Sequence, residues 1–445
     1  MNRSRTILRK EIIGWSLYDF ANTIFSMNIL SLYFKRWIVE DLGRDGLYYD
    51  LPYAGSMLIV GLIMPALGAI SDHSGKKRIL LFLFTVTCCL AIGSVPLVPI
   101  NLLAVIILLF VVANFFYEGG MVFYNSLLYS VSSGYEARLI SGLGVALGYT
   151  GSLAGMILVL PWVTGQVFAL DVPWLAGSGK AGAFAPTAVL FFVFSVPTFL
   201  WVKERSDLVK SGRADLKKAY REVWEALRNT RRYPGVLRFL IADHFFEDAV
   251  VTVILNMGIF SSVVLGFDDA NLTFFMLVST TSAMFGSLFI GRLAQIVNLK
   301  KLMMFIILGW IVTLSVFLFV ENLTTIYILG SVIGVVLGGL WTVSRPFLAE
   351  MVPKDELGRF FGLYSLSGRS AAVVGPVLWG LTVYFFAVDR LPGSTVAGLL
   401  DLNPAEAEKL PYRAAIISII IMMTIGLILF RKIPWRAPEE RKDIA

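Results

Sequence analysis

Residues 68–78 read GAISDHSGKKR. They separate two long apolar runs, 53–71 and 78–98. Gly75 permits a tight turn, because glycine enters backbone conformations closed to other residues. Asp72 can accept backbone or arginine hydrogen bonds at a helix end. Lys76, Lys77 and Arg78 carry charge of the kind retained on the cytoplasmic side of a membrane. A short basic turn between two such runs predicts two membrane helices joined at the cytoplasmic face.

The rest of the chain repeats that plan. Of its 445 residues, 57% are hydrophobic and 16% are charged, whereas a soluble domain carries about 25% charged residues. The mean hydropathy is +0.75. About 20 apolar residues cross a hydrocarbon core. On that basis spans are expected at 12–34, 53–71, 78–98, 102–128, 139–162, 184–202, 236–262, 272–295, 301–320, 323–347, 360–386 and 413–431. The runs are continuous rather than alternating, which argues against a transmembrane β-barrel. The expected fold class is an all-α membrane protein of about twelve transmembrane helices in two six-helix bundles. The first span follows the basic stretch MNRSRTILRK and is too long for a signal-peptide core, so it reads as an uncleaved helix.

Charge sets the expected orientation. The net charge is +7, and Lys and Arg concentrate in 76–78, in the loop 203–232 and in the tail after 430. All three lie on one side if the N-terminus is cytoplasmic, so both termini are expected inside, in the plasma (inner) membrane. The same pattern accounts for the basic balance without nucleic-acid binding. Residues 203–234 form the one sizeable polar insert, and Leu216, Tyr220, Val223, Trp224 and Leu227 recur in it at helical spacing. That predicts an amphipathic helix on the cytoplasmic membrane surface. The expected layout is a first bundle over 1–202, a linker over 203–234 and a second bundle over 235–445. The two cysteines, Cys88 and Cys89, are adjacent, and the two histidines, His73 and His244, are far apart. This suits no metal site, and neither a metal nor another cofactor is expected.

The two halves echo each other. Asp243 follows Asp19 by 224 residues, Gly291 follows Gly68 by 223, and Arg359 follows Arg138 by 221. Parallel repeats about an axis along the membrane normal are a plan of secondary transporters. The stretch 68–78 resembles the signature of the major facilitator superfamily between its second and third helices. That resemblance implies a conformational latch at Gly68, Asp72, Gly75, Lys76, Lys77 and Arg78. His73 stands where the family often has Arg. The second-half copy is degenerate, with Gln295 and Asn298 in place of Asp and Gly. The first span reads Gly14-Trp15-Ser-Leu-Tyr18-Asp19-Phe-Ala21-Asn22. It resembles the vacuole-effluxer-like (autophagy-related) branch, which has Trp-x-x-Tyr-Asp-x-Ala-Asn there. The branch also has an aromatic-rich segment ending in Asp in its seventh helix, here Phe246-Glu247-Asp248. Where that branch often has Asn-Asp-Gly, this chain has Glu247-Asp248-Ala249. The resemblance implies fold and transport; the branch is functionally diverse, so it implies amino-acid export only loosely.

The seventh span carries the densest charge, ADHFFED over 242–248. At 100° per residue, Asp243, Glu247, His244 and Asp248 fall at about 0°, 40°, 100° and 140°, on one face. A charged Asp at the bilayer centre costs about 2.5–3.5 kcal/mol, so such a face is expected to meet protein or water. Glu118 and Arg369 are further ionisable groups within spans. The superfamily plan implies that Asp19, Asn22, Glu118, the 243–248 cluster and Arg369 converge on a central cavity. Arg369 either holds a substrate carboxylate or pairs with Glu118.

The expected function is secondary active transport of a small solute by alternating access, by symport or antiport. A cavity with both charge signs favours an amino acid or similar zwitterion. Protonation of Glu247 or Asp248 is the expected coupling step, with His244 tuning or relaying the proton. Their lack of acidic counterparts at Thr23 and Ile24 singles them out within the cluster. The alternative is sodium coupling at the same carboxylates, with a sugar or lipid-like substrate. No nucleophile–base pair or metal spacing points to an intramembrane enzyme, and a receptor is the remaining different class. Expected partners are the small-molecule substrate and the lipid bilayer, with the protein acting as a monomer.

Overall fold

The computed structural model describes residues 9–74, 76–131, 135–167, 170–171, 179–204, 215–230, 233, 235–320, 322–352, 360, 363–364, 366–368 and 372–434. Helix α1 (Lys10–Phe25) runs on through π-helical Ser26–Tyr33, the turn Phe34–Arg36 and π-helical Trp37–Asp41. Then come α2 (Leu47–Ser74), α3 (Lys77–Ser94), α4 (Leu103–Val131), α5 (Tyr135–Thr164) and α6 (Phe184–Trp201). Helix α7 (Leu216–Asn229) occupies the polar insert. It is followed by α8 (Val236–Leu265), α9 (Asp269–Leu293), α10 (Leu299–Phe317) and α11 (Leu323–Met351). The chain continues with α12 (Val374–Phe385), the short α13 (Gly393–Leu399) and α14 (Pro404–Arg431). A two-residue antiparallel pairing, Gln166–Val167 with Leu170–Asp171, is the one strand contact among the described residues.

Ten of the described helices are long and apolar enough to cross a membrane. The π-interrupted first helix and the apolar α12, whose preceding residues are only partly described, bring this to the twelve expected spans. Two boundaries differ from expectation for local reasons. The last span begins at Pro404 rather than 413. Asn403 caps it by accepting from the Glu406 N–H at 2.9 Å, and proline suits a first helical turn. The first helix continues past 34 to Asp41, because Lys35 and Arg36 are neutralised where they stand. Both side chains are buried and ion-paired.

The chain divides into two compact units. One comprises Met1–Tyr220 with Asn256–Ile259 and Asp268–Thr273; the other comprises Arg221–Leu255, Phe260–Phe267 and Phe274–Ala445. The division therefore falls inside α7 rather than at either end of the polar insert. In the first unit α1 is the packing centre. A Cβ at Gly151 of α5 would overlap the Phe20 backbone, so the two helices touch main chain to main chain. The Trp15 indole donates to the Tyr124 carbonyl at 3.1 Å and stacks on the Tyr124 ring at 4.6 Å. In the second unit α8 takes the central place. Phe239, Phe347 and Phe430 join α8 to α11 and α14, with ring centroids 5.0 Å and 4.9 Å apart along that chain. Gly334 of α11 packs on the α9 backbone at Ser279 in the same close manner as Gly151 on α1.

Candidate functional site

Helix α8 has clear ends. Gly235 precedes it with φ 90° and Gly266 follows it with φ 68°, both left-handed values that favour glycine. The Gly266 and Phe267 N–H groups donate back to Ser262 O and Ser261 O, each at 3.1 Å, as in a Schellman stop. Between these ends α8 is 72% buried over its best membrane window, the most of the ten long apolar helices described. The acidic face at 243–248 is therefore fixed in the interior of the second unit.

The four groups of that face have different surroundings. Asp248 is buried, and both its carboxylate oxygens lie 2.8 Å from the Gly375 N–H, which donates to them at the start of α12. The carboxylate thus satisfies one of the unpaired donors of a helix N-terminus, where negative charge is favoured. A Cβ at Gly375 would collide with Thr252 and Asp248, so glycine is what lets α12 approach. Glu247 accepts from the Trp341 indole N–H at 3.0 Å, and the Arg345 guanidinium of α11 is a Coulombic neighbour. His244 is half-buried, its Nδ1 3.2 Å from the Ser367 carbonyl. Asp243 is fully buried, and among the described residues neither of its oxygens has a hydrogen-bond partner. Glu247, one turn along, acts on it electrostatically. The Tyr364 hydroxyl, paired with Ser344 Oγ at 2.7 Å, lies within electrostatic reach of both carboxylates.

Asp19, Asn22 and Glu118 sit in the first unit. Asp19 is half-buried beside α5, where a Cβ at Gly144 would come within 3.0 Å of its Oδ2. Asn22 is buried, with an Oδ1 that lacks a hydrogen-bond partner among the described residues. Glu118 is half-buried on α4, next to Tyr117, whose ring stacks on Phe25 at 4.6 Å. Arg369 lies outside the described residues, as do Gly75 and the side chain of Asp72. Of the other latch residues, Gly68 faces open space and Lys76 is exposed. The backbone N–H groups of Lys77 and Arg78 both donate to the Glu204 carboxylate at 2.9 Å. The Arg78 guanidinium donates to Val202 O at 3.0 Å, so the start of α3 is tied to the chain just after α6. Asn298, in the degenerate second copy, caps α10 by accepting from the Lys301 N–H at 3.2 Å.

Sequence reasoning missed a second buried charge group, in the first unit. Lys35 Nζ reaches the Asp50 oxygens at 2.7 Å and 2.8 Å and also donates to Asn256 Oδ1. Arg36 binds Glu40 at 2.9 Å and Asp269 at 2.6 Å, and Lys180 binds Glu40 at 2.9 Å and Asp41 at 2.7 Å. The available signal was Lys35-Arg36 placed directly at the end of an apolar run, with Asp50 inside the next helix.

Comparisons agree with this architecture. The family described as "Vacuole effluxer Atg22 like" matches residues 129–384. The MFS-type transporter YxiO of Bacillus subtilis (strain 168) is 24% identical over 96% of this chain and 95% of its own length. Autophagy-related protein 22 of Kluyveromyces lactis is 24% identical over 79% of this chain and 76% of its own. Among solved structures, the nucleoside transporter NupG superposes with a TM-score of 0.69 at 13% identity, covering 95% of this chain and 99% of that one. A bacterial homologue of the human lysosomal transporter Spinster gives 0.70 at 13% identity, covering 96% of each chain. The last two likenesses concern the fold. The chain is a multi-pass membrane transporter of the major facilitator superfamily, and within it belongs to the vacuole effluxer Atg22-like family.

Proposed function

We propose that this transporter moves a small solute, an amino acid or similar zwitterion, by alternating access, and that protons bound at Asp243 and Glu247 drive it. The reading rests on one observation: Asp243 is fully buried and without a hydrogen-bond partner among the described residues. Burying a carboxylate anion without a partner is costly, so such a site favours capture of a proton or a cationic group. Glu247 lies one turn away on the same face, where it accepts from the neutral Trp341 indole N–H and has the Arg345 guanidinium as a Coulombic neighbour. Two carboxylates so placed can share and release protons as access changes. Asp248, held by the Gly375 N–H, serves the scaffold in this scheme, and His244 tunes the site from its edge. The protein works as a monomer in the plasma (inner) membrane with both termini cytoplasmic, the orientation its charge distribution favours.

The test is uptake of amino acids into proteoliposomes under an imposed proton gradient, after a thermal-shift screen has picked the solute that stabilises the protein. Wild-type uptake follows the proton gradient at constant sodium. Asp243→Asn and Glu247→Gln retain solute counterflow but lose gradient-driven uptake. Gradient-driven uptake by Asp243→Asn equal to wild type overturns the reading, and so does uptake that follows sodium at fixed pH.

A further inference from the structure

Helix α7 presents its apolar and cationic residues in a definite order. Counted from Leu216 at 100° per residue, Leu227, Tyr220 and Trp224 fall at about 20°, 40° and 80°. Lys217, Arg228 and Arg221 follow at about 100°, 120° and 140°. All seven side chains are exposed, and Trp224, at 68%, is the most exposed of the four apolar ones. Lys217, Arg228 and Arg221 thus line one border of the apolar face, next to Trp224, with the exposed Lys218 further round at about 200°. Asp215 starts the helix by accepting from the Lys218 N–H at 2.9 Å, so this register is set locally.

One residue of the apolar face is tied to a neighbouring helix. The Tyr220 hydroxyl donates to the Leu62 carbonyl of α2 at 2.8 Å. Leu58, Ile59 and Leu62 are all exposed there and form an outer apolar strip of a membrane-crossing helix. The contact ties the first turn of α7, within the first unit, to α2. On a bilayer surface the apolar face of such a helix meets acyl chains, and a cationic border beside it meets headgroups. Arg221 also has Glu225 at 3.7 Å, an exposed pair too weak to withhold it from a phosphate.

We propose that α7 is a binding site for anionic phospholipid of the cytoplasmic leaflet. Lys217, Arg221 and Arg228 hold the headgroup phosphates, and Leu216, Tyr220, Trp224 and Leu227 hold the acyl chains. The site is independent of the carboxylates on α8 and of what the transporter carries. Charge complementarity selects the lipid, because each Lys or Arg at an anionic surface contributes about a five-fold preference.

The experiment uses the full chain in detergent, titrated with phosphatidylglycerol or phosphatidylcholine and read by native mass spectrometry. The expected result is preferential retention of phosphatidylglycerol by the wild type. K217Q/R221Q/R228Q weakens that preference about a hundred-fold, three such factors together. Glutamine keeps helix propensity near that of Lys and Arg, so the variant folds. The charge-conserving K217R/R221K/R228K restores the preference, which shows that the loss was not a folding defect. Trp224→Ser weakens phosphatidylglycerol and phosphatidylcholine alike. The proposal is overturned if the triple glutamine variant keeps the wild-type preference. It is equally overturned if inorganic phosphate alone displaces the lipid, which would make the cationic border a free-anion site.

Discussion

Asp50 and Asp243 are both fully buried carboxylates, yet their settings are opposite. Asp50, in the first unit, has the Lys35 ammonium on both oxygens, and that ammonium is also bound by Asn256. Asp243, in the second unit, has no hydrogen-bond partner among the described residues. Asp248 stands between them, buried and satisfied by a neutral backbone N–H. A buried charge with a cation in place is committed to holding structure, since its geometry cannot change without leaving that cation bare. A buried carboxylate with nothing in place can accept something that comes and goes. The two carboxylates differ in partner rather than in burial.

Breaking one side of the Asp50 pair should have the largest effect. Lys35→Met leaves Asp50 buried and uncompensated, at a cost of about 3–5 kcal/mol. This should appear as a sharply lower unfolding midpoint in detergent, and Lys35→Met with Asp50→Leu together should recover most of the loss. The same approach at Asp243 should do the reverse. Asp243→Asn should leave the unfolding midpoint unchanged or raise it, while gradient-driven uptake falls at least about ten-fold, a change of about 1.4 kcal/mol. A midpoint drop as large as that of Lys35→Met would place Asp243 with the scaffold and erase the contrast.

Smaller substitutions sharpen the middle case. Asp248→Ala removes the acceptor at the start of α12 and should cost about 1 kcal/mol, typical of a lost N-terminal cap. Asp248→Asn keeps an acceptor, so its uptake should retain the wild-type dependence on the proton gradient; loss of that dependence would return the coupling role to Asp248. Trp341→Phe deletes the indole donor to Glu247 and should cost at most about 1 kcal/mol of stability. Its signature should be a displaced pH profile of uptake at unchanged solute counterflow.

The helical plan was legible in the chain because its causes are local. Apolar length fixes a span, and caps such as Asn322, which accepts from the Thr325 N–H at 3.1 Å, fix where spans begin. Even the boundary missed at 413 had a local signal in Asn403-Pro404. The amphipathic register of α7 was legible for the same reason. The acidic face of α8 was visible too, since helical period alone groups Asp243, Glu247 and Asp248. Their division of labour was not visible. The reading from sequence favoured Glu247 and Asp248 over Asp243, on the ground that Asp243 has a counterpart at Asp19. In the structure Asp248 is the one spent on a helix start.

The sequence by itself determined an all-helical membrane protein with a duplicated plan and a concentrated acidic face, because length, period and charge placement act over a turn or a span. The tertiary structure alone decided which carboxylate has a partner and which has none among the described residues. Asp248 meets the Gly375 N–H across 127 residues of chain, and Lys35 is bound by Asn256 across 221. Partners that distant are chosen by packing, and no local pattern encodes them.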